Sequence, residues 1–205
     1  MPSVVLSWTG NSVKYGGCEW HSDNDGFWKR AHSAGASIAC IDGPCDTNGL
    51  RVLPDWASWD PDALGGVRDG ERALAAAGVG LFWTTYRTVT RFDGASRWIA
   101  RSLRLFGDEA RAAKTIETHP HGAFTFLWRS AGRTDVLGKK TSAKGRENRA
   151  ALLRSLVPDM DEANLPDHDA IDAAAAAVVA VLHGLGRTVA FGTDIGGGRI
   201  WMPSV

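Results

Sequence analysis

Four acidic residues stand where a fold gathers chemistry. Asp42 ends the apolar run Ser37-Ile38-Ala39-Cys40-Ile41 and is followed by Gly43-Pro44. Glu117 lies within Thr115-Ile116-Glu117-Thr118, shortly before Pro120, and Asp169 and Asp172 open a long alanine-rich stretch. The spacing of those two aspartates puts them on one face of a helix. Carboxylates at two strand ends and one helix start can converge, and hard cations such as Mg²⁺ or Mn²⁺ take oxygen ligands of this kind. Two such ions ~3.5–4 Å apart hold a phosphodiester, activate a water and stabilise the leaving oxygen. Each acid also has a plainer use. Asp42 before Gly-Pro suits a turn, Asp169 and Asp172 suit the positive end of a helix, and Glu117 suits a solvated edge strand.

Two further constellations overlap this one. Glu117, His119 and His121 alternate, so in an extended segment they would share a face and could hold zinc; Pro120 interrupts the triplet, and the other reading of the histidines is a polar rim. Lys139, Lys140, Lys144, Arg146, Arg149 and Arg154 face a single acid, Glu147, over the same interval. They form either a patch that tracks phosphates or a solvated helix face. Arg68 and Arg72 flank Glu71 on a predicted helix, where they contact substrate or pair with their neighbours. The chain contains no GxxxxGK[ST], no GxGxxG after a strand and no GxSxG, which leaves phosphate-loop, dinucleotide and serine-hydrolase chemistry without support.

The elements that must position these groups follow from periodicity and punctuation. Residues 4–8 and 12–20 read as strands joined by a tight turn at Gly10-Asn11. Residues 25–34 read as a helix closed by Gly35, and residues 37–42 as an apolar strand. An irregular stretch with Pro54, Pro61 and Gly65-Gly66 follows. Helices are expected over 67–77, 95–106, 122–130, 145–156 and 167–183, the last bounded by Pro166 and Gly184. Residues 114–118 form another strand and 199–202 a short strand or tail. A hairpin followed by alternating helices and strands is the order of a mixed α/β sheet flanked by helices, whose ligands gather at the carboxyl ends of strands.

The 205 residues suit one domain, with enough chain to bury a core unaided. Lys plus Arg and Asp plus Glu both number 23, so a generally polybasic binder is excluded, though not a local patch. The longest strictly apolar run, 173–182, is too short to span a membrane. No secretory signal is visible, and three cysteines without a CxxC form neither a disulfide framework nor a zinc ribbon. A cytoplasmic location is the expectation. The nine tryptophans are scattered and read as packing residues.

Six short motifs occur in order: Ile41-Asp42-Gly43-Pro44, Arg68-Asp69-Gly70-Glu71-Arg72, Ile116-Glu117-Thr118-His119-Pro120, Gly145-Arg146-Glu147-Asn148-Arg149, His168-Asp169-Ala170-Ile171-Asp172-Ala173 and Ile200-Trp201-Met202-Pro203. This series resembles the domain-of-unknown-function 429 family, predicted nucleases of ribonuclease-H-like fold. The resemblance implies one α/β domain with a five-stranded mixed sheet and a divalent-metal site. Its catalytic, metal-binding acids would be Asp42, Glu117, Asp169 and Asp172, with Lys140, Lys144 and Arg149 on phosphates. Family members open with a strand bearing a metal-binding aspartate. Here the first acid is Glu19, so either Ser7 stands in place of that aspartate or the family's first strand is missing; the second fits better, with the hairpin around Gly10-Asn11 matching the family's second and third strands. The expected function is Mg²⁺- or Mn²⁺-dependent phosphodiester hydrolysis of the nuclease type, weak or absent in the chain as written. The alternative is a non-catalytic relative that binds nucleic acid or protein.

Overall fold

A computed structural model describes residues 1–10, 12–45, 68–84, 93–107, 113–161, 163, 165–195 and 197–204. Asn11 of the predicted turn, the stretch around Pro54, Pro61 and Gly65-Gly66, Val67 and Gly196 lie outside them. In chain order the elements are β1 (Pro2–Thr9), β2 (Ser12–Trp20), α1 (Asn24–Ser33), β3 (Ile38–Asp42), α2 (Asp69–Ala76), α3 (Asp93–Gly107), β4 (Lys114–Thr118), α4 (Pro120–Ser130), α5 (Ala143–Leu156), α6 (His168–Gly184), β5 (Thr188–Phe191) and β6 (Ile200–Pro203). The fold is α/β, as expected. Local chemistry sets the boundaries: Asp23, Ser142 and Asp167 cap α1, α5 and α6 by accepting backbone N–H groups of the first turn. Pro120 starts α4, where its missing N–H costs nothing.

Among the described residues the strands form two sheets, not one of five strands. β1 and β2 pair antiparallel by themselves, and the second sheet runs β3-β4-β6-β5. Within it β3, β4 and β6 are parallel and β5 is antiparallel. Helix α6 underlies both sheets, packing against β1 and β3. Its long row of small and branched apolar residues suits that position: Ala170, Ala174, Ala175 and Val179 are fully buried, and small side chains let backbones approach closely. Gly184 closes the approach, because a Cβ there would meet the Trp8 ring at 2.7 Å and Ile38 Cδ1 at 3.3 Å. One core lies between α4, α5 and α6 around Phe124, Leu153 and Val157, another between α6 and the second sheet around Ile116, Val179 and Met202, and a third under α1 and α3 around Trp28, Ile41 and Leu105. Among the described residues no helix is long and apolar enough to cross a membrane.

Candidate functional site

The parallel pairing of β3 with β4 decides which acids can meet. Ile41 is in register with Glu117, and Asp42 with Thr118. Successive side chains of a strand point to opposite faces. Asp42 therefore projects with Thr118 toward α6, whereas Glu117 projects with Ile41 to the other face. The two acids share the carboxyl end of the sheet but not one of its faces.

On its own face Glu117 is fully engaged. Arg68 donates Nη1–H to Oε1 at 2.7 Å and Nη2–H to Oε2 at 2.6 Å, and the Cys45 N–H donates to Oε2 at 2.8 Å. Arg68 also donates Nε–H to the Gly197 carbonyl at 2.8 Å and lies 3.7 Å from Glu71 Oε1. Glu71 in turn accepts the Thr84 N–H. Arg68, Glu71 and Glu117 are all buried, so this is a closed network that ties β4 to α2. Burial pushes the Glu71 carboxyl up, against the pull of Thr84 and Arg68. Sequence spacing offered Arg68 to the substrate; the structure turns it inward. Arg72 stays outside, exposed and 3.6 Å from Asp69.

Asp42 and Asp172 come together. Both line one cleft of about 1160 Å³, together with His119, His121, Lys140 and Arg149. Asp42 arrives at the end of β3, and Asp172 sits in the first turns of α6, almost fully buried. Asp169, on the same helix, is exposed and lies near His168 Nε2 at 3.2 Å. Lys140 donates from Nζ to Asp172 Oδ2 at 2.7 Å. Asp42 keeps exposed surface, but the cleft walls enclose its carboxyl. That enclosure first, and the charge of Asp172 second, raise it to about 7 while Lys140 pulls the other way. For Lys140 itself, burial works against the charge, but the hydrogen bond and charge of Asp172 prevail and hold its pKa above the usual lysine value.

The cleft wall opposite the acids is built from α4 and α5. Arg149 is 1% exposed, donates to the Gly138 and Gly145 carbonyls, and donates from Nη2 to His121 Nδ1 at 3.2 Å. Its guanidinium lies over the Phe124 ring, and its Nε is buried without a partner among the described residues. Since arginine only donates, His121 Nδ1 must accept, and the imidazole proton sits on Nε2. Burial first, then His119 and Arg149, lower the His121 pKa to about 4, so the ring is neutral at physiological pH. Helix α4 already begins at Pro120, so the extended alternation that would have grouped Glu117, His119 and His121 around zinc is not formed. His119 faces the Gly80 carbonyl instead, and among the described residues no group of three potential ligands is poised around a metal.

The basic interval divides. Lys139 and Lys140 reach the cleft, Arg149 is buried, and Lys144 is exposed beside Glu147 at 3.1 Å. The Lys140–Asp172 and Arg149–His121 contacts could not be read from the sequence. Each joins residues from separate elements, and the only hint was the density of cations between two acidic elements.

A family model described as a protein of unknown function (DUF429) matches residues 84–195, more than half of the chain. The matched stretch includes Glu117, His121, Lys140, Arg149 and Asp172, and leaves out Asp42. No curated protein matches the chain, and no solved structure does.

Proposed function

From a chain that belongs to the DUF429 family, whose description assigns no activity, we propose a divalent-cation-dependent phosphodiester hydrolase whose site is the Asp42–Asp172 cleft. The observation that carries this reading is the convergence of two carboxylates from different elements on one cleft, close enough that the charge of one raises the pKa of the other. Such a pair fits Mg²⁺ or Mn²⁺, which is commonly held by one or two carboxylates while substrate phosphates and water complete its shell. Asp42 and Asp172 would hold the ion, with Asp169 nearby; Glu117, spent on Arg68, positions the end of β4. The chemistry such an ion supplies is charge neutralisation on phosphoryl oxygens and an acidified water.

The remaining side chains suit an anionic substrate. Lys140 neutralises Asp172 while the cleft is empty of cation and is free to turn to a phosphate once Asp172 is engaged. His121 offers a neutral Nε2–H donor, fixed by Arg149. Lys139 extends the positive side of the cleft mouth, which favours a polyanion such as nucleic acid. The second reading, a non-catalytic binder of nucleic acid or protein, is favoured by one contact: Lys140 already satisfies Asp172 without a metal.

The test is Mn²⁺ titration by calorimetry, followed by cleavage assays on bis(p-nitrophenyl) phosphate and single-stranded DNA. Binding at micromolar to millimolar Mn²⁺, lost in both Asp42→Asn and Asp172→Asn, supports a metal site. Metal-dependent turnover lost in the same variants supports the hydrolase. Absence of Mn²⁺ binding up to ten millimolar overturns both, and binding of DNA without cleavage favours the second reading.

A further inference from the structure

At about 1160 Å³ the cleft that holds Asp42 and Asp172 has room for a whole small ligand, more than an ion and one phosphate need. Its length follows α4. His121, Thr125, Trp128 and Arg129 all line it, and that spacing places them on one face of the helix. His121, within electrostatic reach of Asp172, stands in the first turn. Trp128 stands seven residues on, about 10 Å further along the axis. The chain over residues 78–82 also lines the cleft, and it is pinned to α4: Arg129 donates to the Ala77 and Gly78 carbonyls, and His119 meets the Gly80 carbonyl. The acids therefore occupy one end of the cleft, and the Trp128 end is left to a second group of the same ligand.

That end carries a fixed plane. Arg133 lays its guanidinium over the Trp128 ring, 4.3 Å from the centroid. Its Nε–H and Nη2–H donate to the two carboxylate oxygens of Asp135, each at 2.9 Å, and the Asp135 carbonyl accepts the Trp128 indole N–H at 2.9 Å. Trp128 is buried beneath it, whereas the Arg133 side chain is 51% exposed. One face of the guanidinium is thus spent on the indole, and the other looks outward in the cleft lining. Phe82 and Val136, 48% and 86% exposed, line the same cleft. Asp135 already neutralises Arg133, so what this arginine offers a ligand is less its charge than its plane. A planar, delocalised guanidinium stacks on aromatic faces in a way that a compact ammonium does not.

We infer that the outer face of Arg133 is a stacking platform for a nucleobase, so that the cleft takes single-stranded nucleic acid with one phosphate at Asp42 and Asp172 and a nearby base on Arg133. A base inside a duplex has both faces covered by its neighbours, whereas an unpaired base can give one to an arginine plane. Lys139 and Lys140, on the same cleft, meet the backbone phosphates. The inference rests on the reading of this cleft as a phosphodiester site and does not need the metal.

The experiment measures binding by fluorescence anisotropy, in EDTA and again with millimolar Ca²⁺. Its probes are a labelled oligothymidylate, an abasic oligomer with the same number of phosphates, and the oligothymidylate annealed to its complement. The parent binds the oligothymidylate about fivefold or more tighter than the abasic oligomer, and tighter than the duplex. Arg133→Lys keeps the charge and loses the plane, so the difference between the two single strands disappears. A second measurement needs no variant: the Arg133 Nε–H resonance moves upfield by ring current when adenosine 5′-monophosphate is added, and not with ribose 5-phosphate. Equal affinity of the parent for the two single strands, a preference that Arg133→Lys keeps in full, or an Nε–H shift that is the same for both monophosphates overturns the inference and leaves the phosphodiester reading standing. A duplex bound as tightly as the single strand overturns the single-stranded assignment. Binding of neither oligomer under either condition overturns the inference together with the reading it rests on.

Discussion

Two side chains set the ionic state of the cleft. Asp42, raised to about 7 by its enclosure and by Asp172, binds a proton in the folded chain that it has already lost in the unfolded one over the interval from about 4 to 7. Stability therefore falls as pH rises through that window and levels off above it, since the folded state there binds more protons than the unfolded state. Asn has no such titration. Asp42→Asn should match the parent at pH 4 and exceed it at pH 8, by about 1 kcal/mol once screening at the exposed part of the carboxylate is allowed for; thermal denaturation at the two pH values measures this. An equal difference at both would show that Asp42 does not carry the titration. Lys140 opposes the rise, so Lys140→Met should move the Asp42 titration, followed by ¹³C NMR of its carboxyl, to higher pH. Millimolar Mn²⁺ should move it down, if the ion competes with the proton.

Whole elements are tied by contacts that the sequence shows only in part. Arg68 joins α2 to β4 through Glu117, and removing it leaves Glu117 and Glu71 buried without a cation. Breaking such a pair from one side costs about 3–5 kcal/mol; Arg68→Met should lose that much in urea denaturation, and a loss below about 1 kcal/mol would mean that water reaches the carboxylates. Gly145 in α5 lies directly against the Lys139 carbonyl, where a Cβ has no room. Gly145→Ala should cost about 1–3 kcal/mol by overpacking and draw Lys140 off Asp172, seen as an upward shift of the Asp42 titration. The hairpin, strands β3 and β4 and the first and last helices were legible because Gly or Pro punctuates them: Gly10, Gly35, Gly43-Pro44, Pro120, Pro166 and Gly184. β5 was not. Its four residues between Gly186 and Gly192 are too few for a periodicity, and pairing with β6 alone makes them a strand. The Asp42–Asp172 convergence was legible from a strand end and a helix start. The separation of Glu117 from it was not, because the face an acid takes depends on register, and one residue of slip reverses it.

At the scale of the molecule, α6 is the beam on which two sheets hang. The β1–β2 hairpin docks chiefly on that helix, whereas β3 and β4 are held by the second sheet as well as by α6. Regions with fewer buried partners open at lower free energy, so the hairpin should behave as a separate, weaker unit. Its attachment is tightest at Gly184, where the Trp8 ring lies within 2.7 Å of a Cβ position. A valine there cannot be accommodated by a small shift, because the indole ring is wide and the Ile38 side chain blocks the other side. Gly184→Val should push the C-terminal end of β1 off the helix. Hydrogen exchange gives the measure: amides of β1 and β2 should exchange about tenfold faster or more, while those of β4 and β6, which meet α6 further from Gly184 through Ile116, Val179 and Met202, should keep their protection. If β4 and β6 accelerate as much as the hairpin, the two sheets open as one cooperative unit, and the hairpin is not the weaker part. If neither changes, Trp8 rotates away at no cost and the close approach at Gly184 does not hold the sheets in place.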